Sequence, residues 1–387
     1  MHTINESDVD LIRESEEAKY YPVLMEMVAH SVKYPTLRNE EERLLEELEI
    51  IHKMCESKTI IFCHRLVEEA KFNNEPFLIS SPIAGLYLLY VLEMIKGNPI
   101  ENGCCYQACL GIKDNPNSTI GFGMLFRDEY VEQIRNFAME MDSNSTCYHF
   151  SFDEESMTYN KTYMILVPNV IDVEKYCIVK NIEDDIPVLG MKGSSSFKIG
   201  VDFSITSWPI ISVVDEMDNK YGSTGVDEAL SDYIHAVSDK SFSRAFYTKL
   251  AEKVPLETYK DAINFEGFCH SYLVNKDGVC RFVFPDRDSV FFYLVNDANL
   301  SEKSAYKIME ETKTGTFRKK HHDDNITDAI GKKELDALNN IKYLFSRGHA
   351  AEFFYWRLKA AHYFRYHRNE YLELMKKYDV LGDIENV

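Results

Sequence analysis

The 387-residue chain lacks several things that would have fixed its class at once. It has no apolar run near the roughly 18 residues of a membrane span, and the longest candidate, around Ile83–Ile95, is interrupted by Glu93. The glycine-rich phosphate cradles GxxxxGK[ST] and GxGxxG are missing, as are GxSxG and HExxH, so the common nucleotide-binding, hydrolase and zinc-protease signatures are excluded. Positive charge is scarce: 43 Lys and Arg stand against 63 Asp and Glu, a net charge of −20. Such a balance argues against a stand-alone binder of nucleic acid or anionic membrane, both of which are polyanions. The imbalance is uneven, about −22 over residues 1–300 and about +2 over 301–387, so any nucleic-acid contact belongs near the C-terminus.

A disulfide frame is also missing. The nine cysteines are odd in number and scattered, and MHTINESDVD carries no secretory pattern. Both features lead us to expect reduced thiols and a cytoplasmic protein. Cys104, Cys105 and Cys109 cluster without a second cysteine pair, and buried or free thiols are the simpler reading than zinc. His321-His322-Asp323-Asp324 reads as a polar loop, because adjacent residues rarely converge on one ion. No metal or cofactor is expected.

What is present is apolar material, 45% of the chain, and periodic patterning. Residues 1–38 read as an acidic, weakly patterned, frayed lead-in with short helix. Leu44, Leu45, Leu48 and Ile51 share one helical face over 40–55, with Glu41, Glu42, Glu46 and Glu47 opposite. A second amphipathic helix is expected over 59–72 and a short strand over 77–79. A further helix opens at Ser81-Pro82, runs to Lys96 and stops at Gly97-Asn98-Pro99. Residues 101–120 read as loop, 124–141 as containing a helix, and 215–240 as polar and irregular. The runs 162–167, 197–203 and 210–214 are β-branched and of strand length. From Phe242 to Met375 helical patterns dominate, broken at 321–325. The sum is an α+β protein: a mixed-sheet module over 39–235, then a helical module over 236–387.

The last module holds the most informative stretch. Lys342-Tyr343-Leu344-Phe345-Ser346-Arg347-Gly348-His349-Ala350-Ala351 interleaves basic, aromatic and small residues, as a phosphate-contacting surface does. An ordinary solvated helix face is the alternative. Together with Ala305-Tyr306-Lys307-Ile308-Met309-Glu310 and Tyr363-Phe364-Arg365-Tyr366-His367, it resembles the fingers of the bacterial DNA polymerase III alpha subunit, PolC type. That family reads A-F-K-I-M-E, K-Y-M-F-x-K-A-H-A-A and Y-F-K-V-H in the same order. Asn98-Pro99, Met164–Pro168, Val201-Asp202-Phe203 with Ile210–Val214, and Ser243–His270 extend the resemblance over roughly residues 40–375. It implies a palm-like, nucleotidyltransferase-like mixed sheet followed by a helical fingers-like module. It places Lys307, Lys313, Arg318, Lys342, Arg347 and His349 at or near nucleotide- or DNA-contacting positions.

The catalytic positions depart from the family. Two-metal phosphoryl transfer needs converging carboxylates. Anchored on Phe126 and Glu129-Tyr130, the family's D-I-D falls on Gly121-Phe122-Gly123; anchored on Val201-Asp202-Phe203, its third Asp falls on Val214. Asp215 is one residue away, which on a strand turns a side chain to the other face. The family's G-S-R-G-S-V-G-S loop falls on Leu78–Gly85, with Ser80 at the Arg. The resemblance therefore implies a PolC-like scaffold without its catalytic carboxylates. It would act as a binding or regulatory protein linked to DNA replication, with a replication-related protein partner, weak or no DNA contact and no membrane. The alternative is a minimal active polymerase that recruits Asp215, Asp128 and Glu129 to hold Mg²⁺. A chain with no remaining role is the third reading.

Overall fold

The computed structural model describes residues 6–380, apart from 118, 152–162, 172, 174–176, 184–185, 192–199, 223–228, 243–244, 275–282 and 321–323. The chain divides into two compact units. The first comprises residues 1–83, 87–94 and 116–207, and the second comprises 84–86, 95–115 and 208–387. His321–Asp323, and with them most of the candidate His-Asp motif, lie outside the described residues, as do the first residues of the runs expected over 162–167 and 197–203. No described helix is long and apolar enough to cross a membrane.

The first unit is a seven-stranded mixed sheet with helices. Its strands are β1 (Leu78–Ile79), β2 (Gly121–Phe126), β3 (Ser145–Ser151), β4 (Tyr163–Pro168), β5 (Cys177–Glu183), β6 (Ile186–Met191) and β7 (Val201–Ser207), in the spatial order β1-β2-β7-β4-β3-β6-β5. The β2–β7 and β3–β6 pairs are parallel and the others antiparallel. Its helices are α1 (Glu6–Ala29), α2 (Arg38–Met54), α3 (Ser57–Phe72) and α4 (Asp128–Glu140). Side chains alternate across a strand, so Phe122 and Phe203 leave one face together. They meet Phe62 of α3, with ring centroids 6.0 and 5.4 Å from it. This fixes the helix-covered face. Gly121, Gly123, Asp202 and Ser204 belong to the other.

Several expectations need correction here. The acidic lead-in holds a 24-residue helix, α1, where only short helix is expected. Its sequence shows no apolar stripe, yet it buries Val9, Leu24 and Val28. Glu47 does not face solvent. It is wholly buried, accepting the backbone N–H groups of Tyr87 (3.0 Å) and Leu88 (2.9 Å) and pairing with Arg43 at 2.5 Å. A buried carboxylate thereby satisfies two donors at the start of the short helix Tyr87–Val91. The continuous helix expected over 81–96 is replaced by a 3₁₀ turn at Pro82–Gly85 and that short helix.

The second unit is helical: α5 (Pro209–Tyr221), α6 (Leu230–Val237), α7 (Ala245–Ala251), α8 (Tyr259–Val274), α9 (Arg287–Asn296), α10 (Glu302–Lys313), α11 (Lys332–Asn340), α12 (Arg347–Tyr366) and α13 (Arg368–Lys377). The run 210–214 is therefore helix, not strand. Pro209 opens α5, where its fixed φ and missing N–H are tolerated. Ile210, Val213, Val214 and Met217 are buried at helical spacing. The stretch expected to be irregular holds most of α5 and all of α6. One centre of the unit is α12, where Phe354 meets Tyr233 of α6 edge-to-face at 5.1 Å. A second cluster joins α9, α10 and α11 through Phe291, Leu294, Met309, Phe317 and Leu338.

Candidate functional site

In the first unit, β2 and β7 run parallel with Gly121 opposite Asp202 and Gly123 opposite Ser204. A Cβ at Gly121 would lie 2.6 Å from Asp202 Oδ2, and one at Gly123 would lie 2.8 Å from Ser80 Oγ and 2.9 Å from Ser204 Oγ. All three separations are below contact distance. The carboxylate of Asp202 and the two hydroxyls thus occupy the space that side chains at 121 and 123 would fill. Asp202 is half-buried, and among the described residues no cation pairs with it. Burial alone pushes its carboxyl up to about 7.

Buried Glu56, at the N-terminal edge of α3, is also pushed up, to about 8. Desolvation raises it most, Arg13 at 2.9 Å and the Thr59 hydroxyl at 2.5 Å oppose that, and the nearby charge of Asp202 adds to it. Among the described residues no three His, Cys, Asp or Glu side chains are grouped to hold a metal.

The third-carboxylate position moves as well. Val214 lies buried on α5 in the second unit, so the strand-face argument about Asp215 does not apply. Asp215 is half-buried on that helix and takes a 3.2 Å hydrogen bond from Asn219. Asp128 and Glu129 are exposed in the first turn of α4. Asp202 is the carboxylate that the fold sets beside Gly121. The Val201-Asp202-Phe203 segment stands out in sequence, but the β-branched run after it carries the third-carboxylate expectation past it.

In the second unit, Arg347 is buried and engaged. Its Nε donates to Asp286 Oδ2 (2.9 Å), its Nη2 to Asn264 Oδ1 (2.5 Å) and its Nη1 to the Asn102 carbonyl (3.4 Å). Asp286 itself caps α9 through Ser289 N at 2.7 Å. Buried Asp288 accepts the backbone N–H groups of Cys105 and Arg347, both at 2.8 Å. Its carboxyl is raised, by desolvation first and by Asp286 second. Arg347 therefore ties the 102–105 loop to α8, α9 and α12.

His349 lies between Phe345 (4.0 Å) and Phe353 (4.9 Å), and its Nε2 is buried without a hydrogen-bond partner among the described residues. Burial first, then His270 and Arg287, hold it well below the usual imidazole range, so the ring is neutral. Gly348 packs directly on the turn at Gly85: a Cβ there would fall 2.1 Å from Gly85 N. Cys104, Cys105 and Cys109 are buried and form no disulfide among the described residues.

The remaining cations stand differently. Lys307 and Arg318 are exposed, Lys313 pairs with Glu310 at 2.8 Å, and Lys342 is exposed beside Gly315. Lys307 and Lys313 share α10, and the Leu344 N–H reaches the Lys313 carbonyl at 3.4 Å. The structure thus groups these lysines around α10 and takes Arg347 and His349 into the interior.

The fold and site define an α+β chain with a single carboxylate on a glycine-flanked parallel strand pair and a separate helical unit. No family model matches it. It is 24% identical over 291 residues to the DNA polymerase III PolC-type of Staphylococcus aureus (strain MW2), covering 68% of this chain and 18% of that protein. It is 24% identical over 154 residues to the DNA polymerase III PolC-type of Ureaplasma parvum serovar 3, covering 37% of this chain and 11% of that protein. The chain thus spans less than a fifth of the curated relatives it matches, and the similarity relates it distantly to PolC-type DNA polymerase III.

Proposed function

We propose that this chain is a non-catalytic relative of the PolC palm and fingers, acting in DNA replication by binding rather than by nucleotide transfer. One observation carries the reading. The strand pair bearing Asp202 presents Gly121 and Gly123 where further carboxylates would have to stand, and Asp202 fills the space beside them. One carboxylate by itself does not supply the converging ligands that a pair of divalent ions needs. In the helical unit, Arg347 is neutralised by Asp286 and His349 is an uncharged core ring, which removes two expected phosphate contacts. The acidic balance of the chain suits a basic protein partner more than a nucleic acid.

The active alternative would need Asp128, Glu129 or Asp215. Asp128 and Glu129 start α4, which packs with α3 on the face of the sheet opposite Asp202, and this favours the non-catalytic reading. Calorimetric titration with Mn²⁺ separates the two. No site tighter than about 1 mM is expected. A pair of tighter ions that disappears in Asp202→Asn would contradict the proposal.

A further inference from the structure

The face of the β2–β7 pair that carries Asp202 holds three side-chain acceptors. Asp202 lies over Gly121, and the hydroxyls of Ser80 and Ser204 lie over Gly123. All three residues are half-buried, and their side-chain oxygens are open to solvent and make no hydrogen bond or ion pair among the described residues. Ile165, opposite Asp202 on β4, is buried and apolar. The carboxylate of Glu56, which feels the charge of Asp202, is already engaged by Arg13 at 2.9 Å and by the Thr59 hydroxyl. The face therefore offers one negative charge flanked by two neutral hydroxyls. Charge and span select what it can take. One carboxylate balances one positive charge, whereas a divalent ion takes several oxygen ligands, carboxylates among them. Residues two apart on a strand stand about 6.6–6.8 Å apart, so Asp202 and Ser204 are set wider than a compact ammonium reaches. A planar guanidinium directs its fork of N–H donors over that width.

We propose that this face receives the guanidinium of an arginine side chain from a basic protein partner, its N–H groups donating to the Asp202 carboxylate and to the Ser80 and Ser204 hydroxyls. The net charge of −20 complements such a partner. The proposal rests on the reading of the chain as a binding protein and names the contact by which it binds.

The test is titration of the intact chain with N-acetyl-arginine methylamide, followed by ligand-observed NMR, beside lysine and citrulline compounds blocked in the same way. The arginine compound should bind with a Kd of about 5 mM or lower, at least about fivefold tighter than the lysine compound, and the neutral citrulline compound should not bind. Asp202→Asn should abolish the binding. Ser80→Ala with Ser204→Ala should weaken it about fivefold and leave the circular dichroism and melting curve unchanged. Asp202 must ionise to take the cation, so affinity should rise about fivefold or more from pH 6 to pH 7.5. No binding of the arginine compound at about 20 mM would overturn the proposal. If Mn²⁺ also fails to bind, the non-catalytic reading would still stand. Equal binding of the lysine compound would overturn the guanidinium assignment. Arginine binding unchanged in Asp202→Asn would overturn the site and assign the binding to the acidic surface at large. A pair of tight Mn²⁺ ions lost in Asp202→Asn would overturn both this proposal and the non-catalytic reading.

Discussion

Replacing Arg347 separates a structural role from a ligand-binding one. In Arg347→Ala the buried carboxylate of Asp286 loses its partner at 2.9 Å, Asn264 loses a donor and the Asn102 carbonyl loses a weaker one. Breaking a buried ion pair from one side costs about 3–5 kcal/mol, because the remaining charge stays desolvated. Against a total stability of about 5–15 kcal/mol, that is a large fraction. Arg347→Lys should recover part of the loss, since an ammonium can reach Asp286 but cannot also serve Asn264 and Asn102 in the same plane. Urea unfolding followed by circular dichroism reads the result directly. The midpoint should fall strongly in Arg347→Ala and less in Arg347→Lys, with the slope unchanged. An unchanged midpoint in Arg347→Ala, accompanied by loss of phosphate or DNA binding, would refute this reasoning and return Arg347 to the surface.

Asp202→Asn should stabilise the protein at alkaline pH. The folded carboxyl is raised to about 7 against about 3.9 unfolded, so its contribution is full below pH 4 and is lost as pH rises through 7. The shift sets a ceiling near 4 kcal/mol, which partial solvent access reduces to about 1–2 kcal/mol at pH 8, with little difference at pH 4. Urea midpoints at the two pH values check it, and a gain confined to pH 4 would refute the sign. Gly348→Ala should destabilise by about 3 kcal/mol, because the new Cβ would lie 2.1 Å from the backbone nitrogen of Gly85 and neither backbone can yield by a rotamer change. A melting temperature within a degree or two of the parent would show that the two segments are not in contact.

Much of the architecture is legible in the sequence because burial imposes a period. Leu44, Leu48 and Ile51 on α2, and Ile60, Ile61, Leu66 and Val67 on α3, mark their helices by spacing alone. The long helix α1 has no such mark, because its apolar residues form no clear stripe and its neighbours decide its burial. The run Ile210–Val214 reads as strand by β-branching, and only the Pro209 start and the burial of both Val213 and Val214 make it helix.

At the candidate site, that positions 121 and 123 carry glycine rather than a carboxylate is readable from residue identity. Which carboxylate stands beside them is not, since pairing Asp202 with Gly121 requires the parallel register of β2 and β7. Arg347 and Glu47 show the same limit for charge. A lone basic or acidic residue looks solvent-facing in sequence, and only the fold supplies Asp286 for one and two backbone donors for the other.

Whether the strand pair around Asp202 supports nucleotide transfer is tested most directly by primer extension on a primed template, using purified folded protein with Mg²⁺ and then Mn²⁺. No incorporation is expected with either ion. Incorporation that persists through purification and disappears in Asp202→Ala or Asp215→Ala would contradict the non-catalytic reading and make the chain a rebuilt polymerase core.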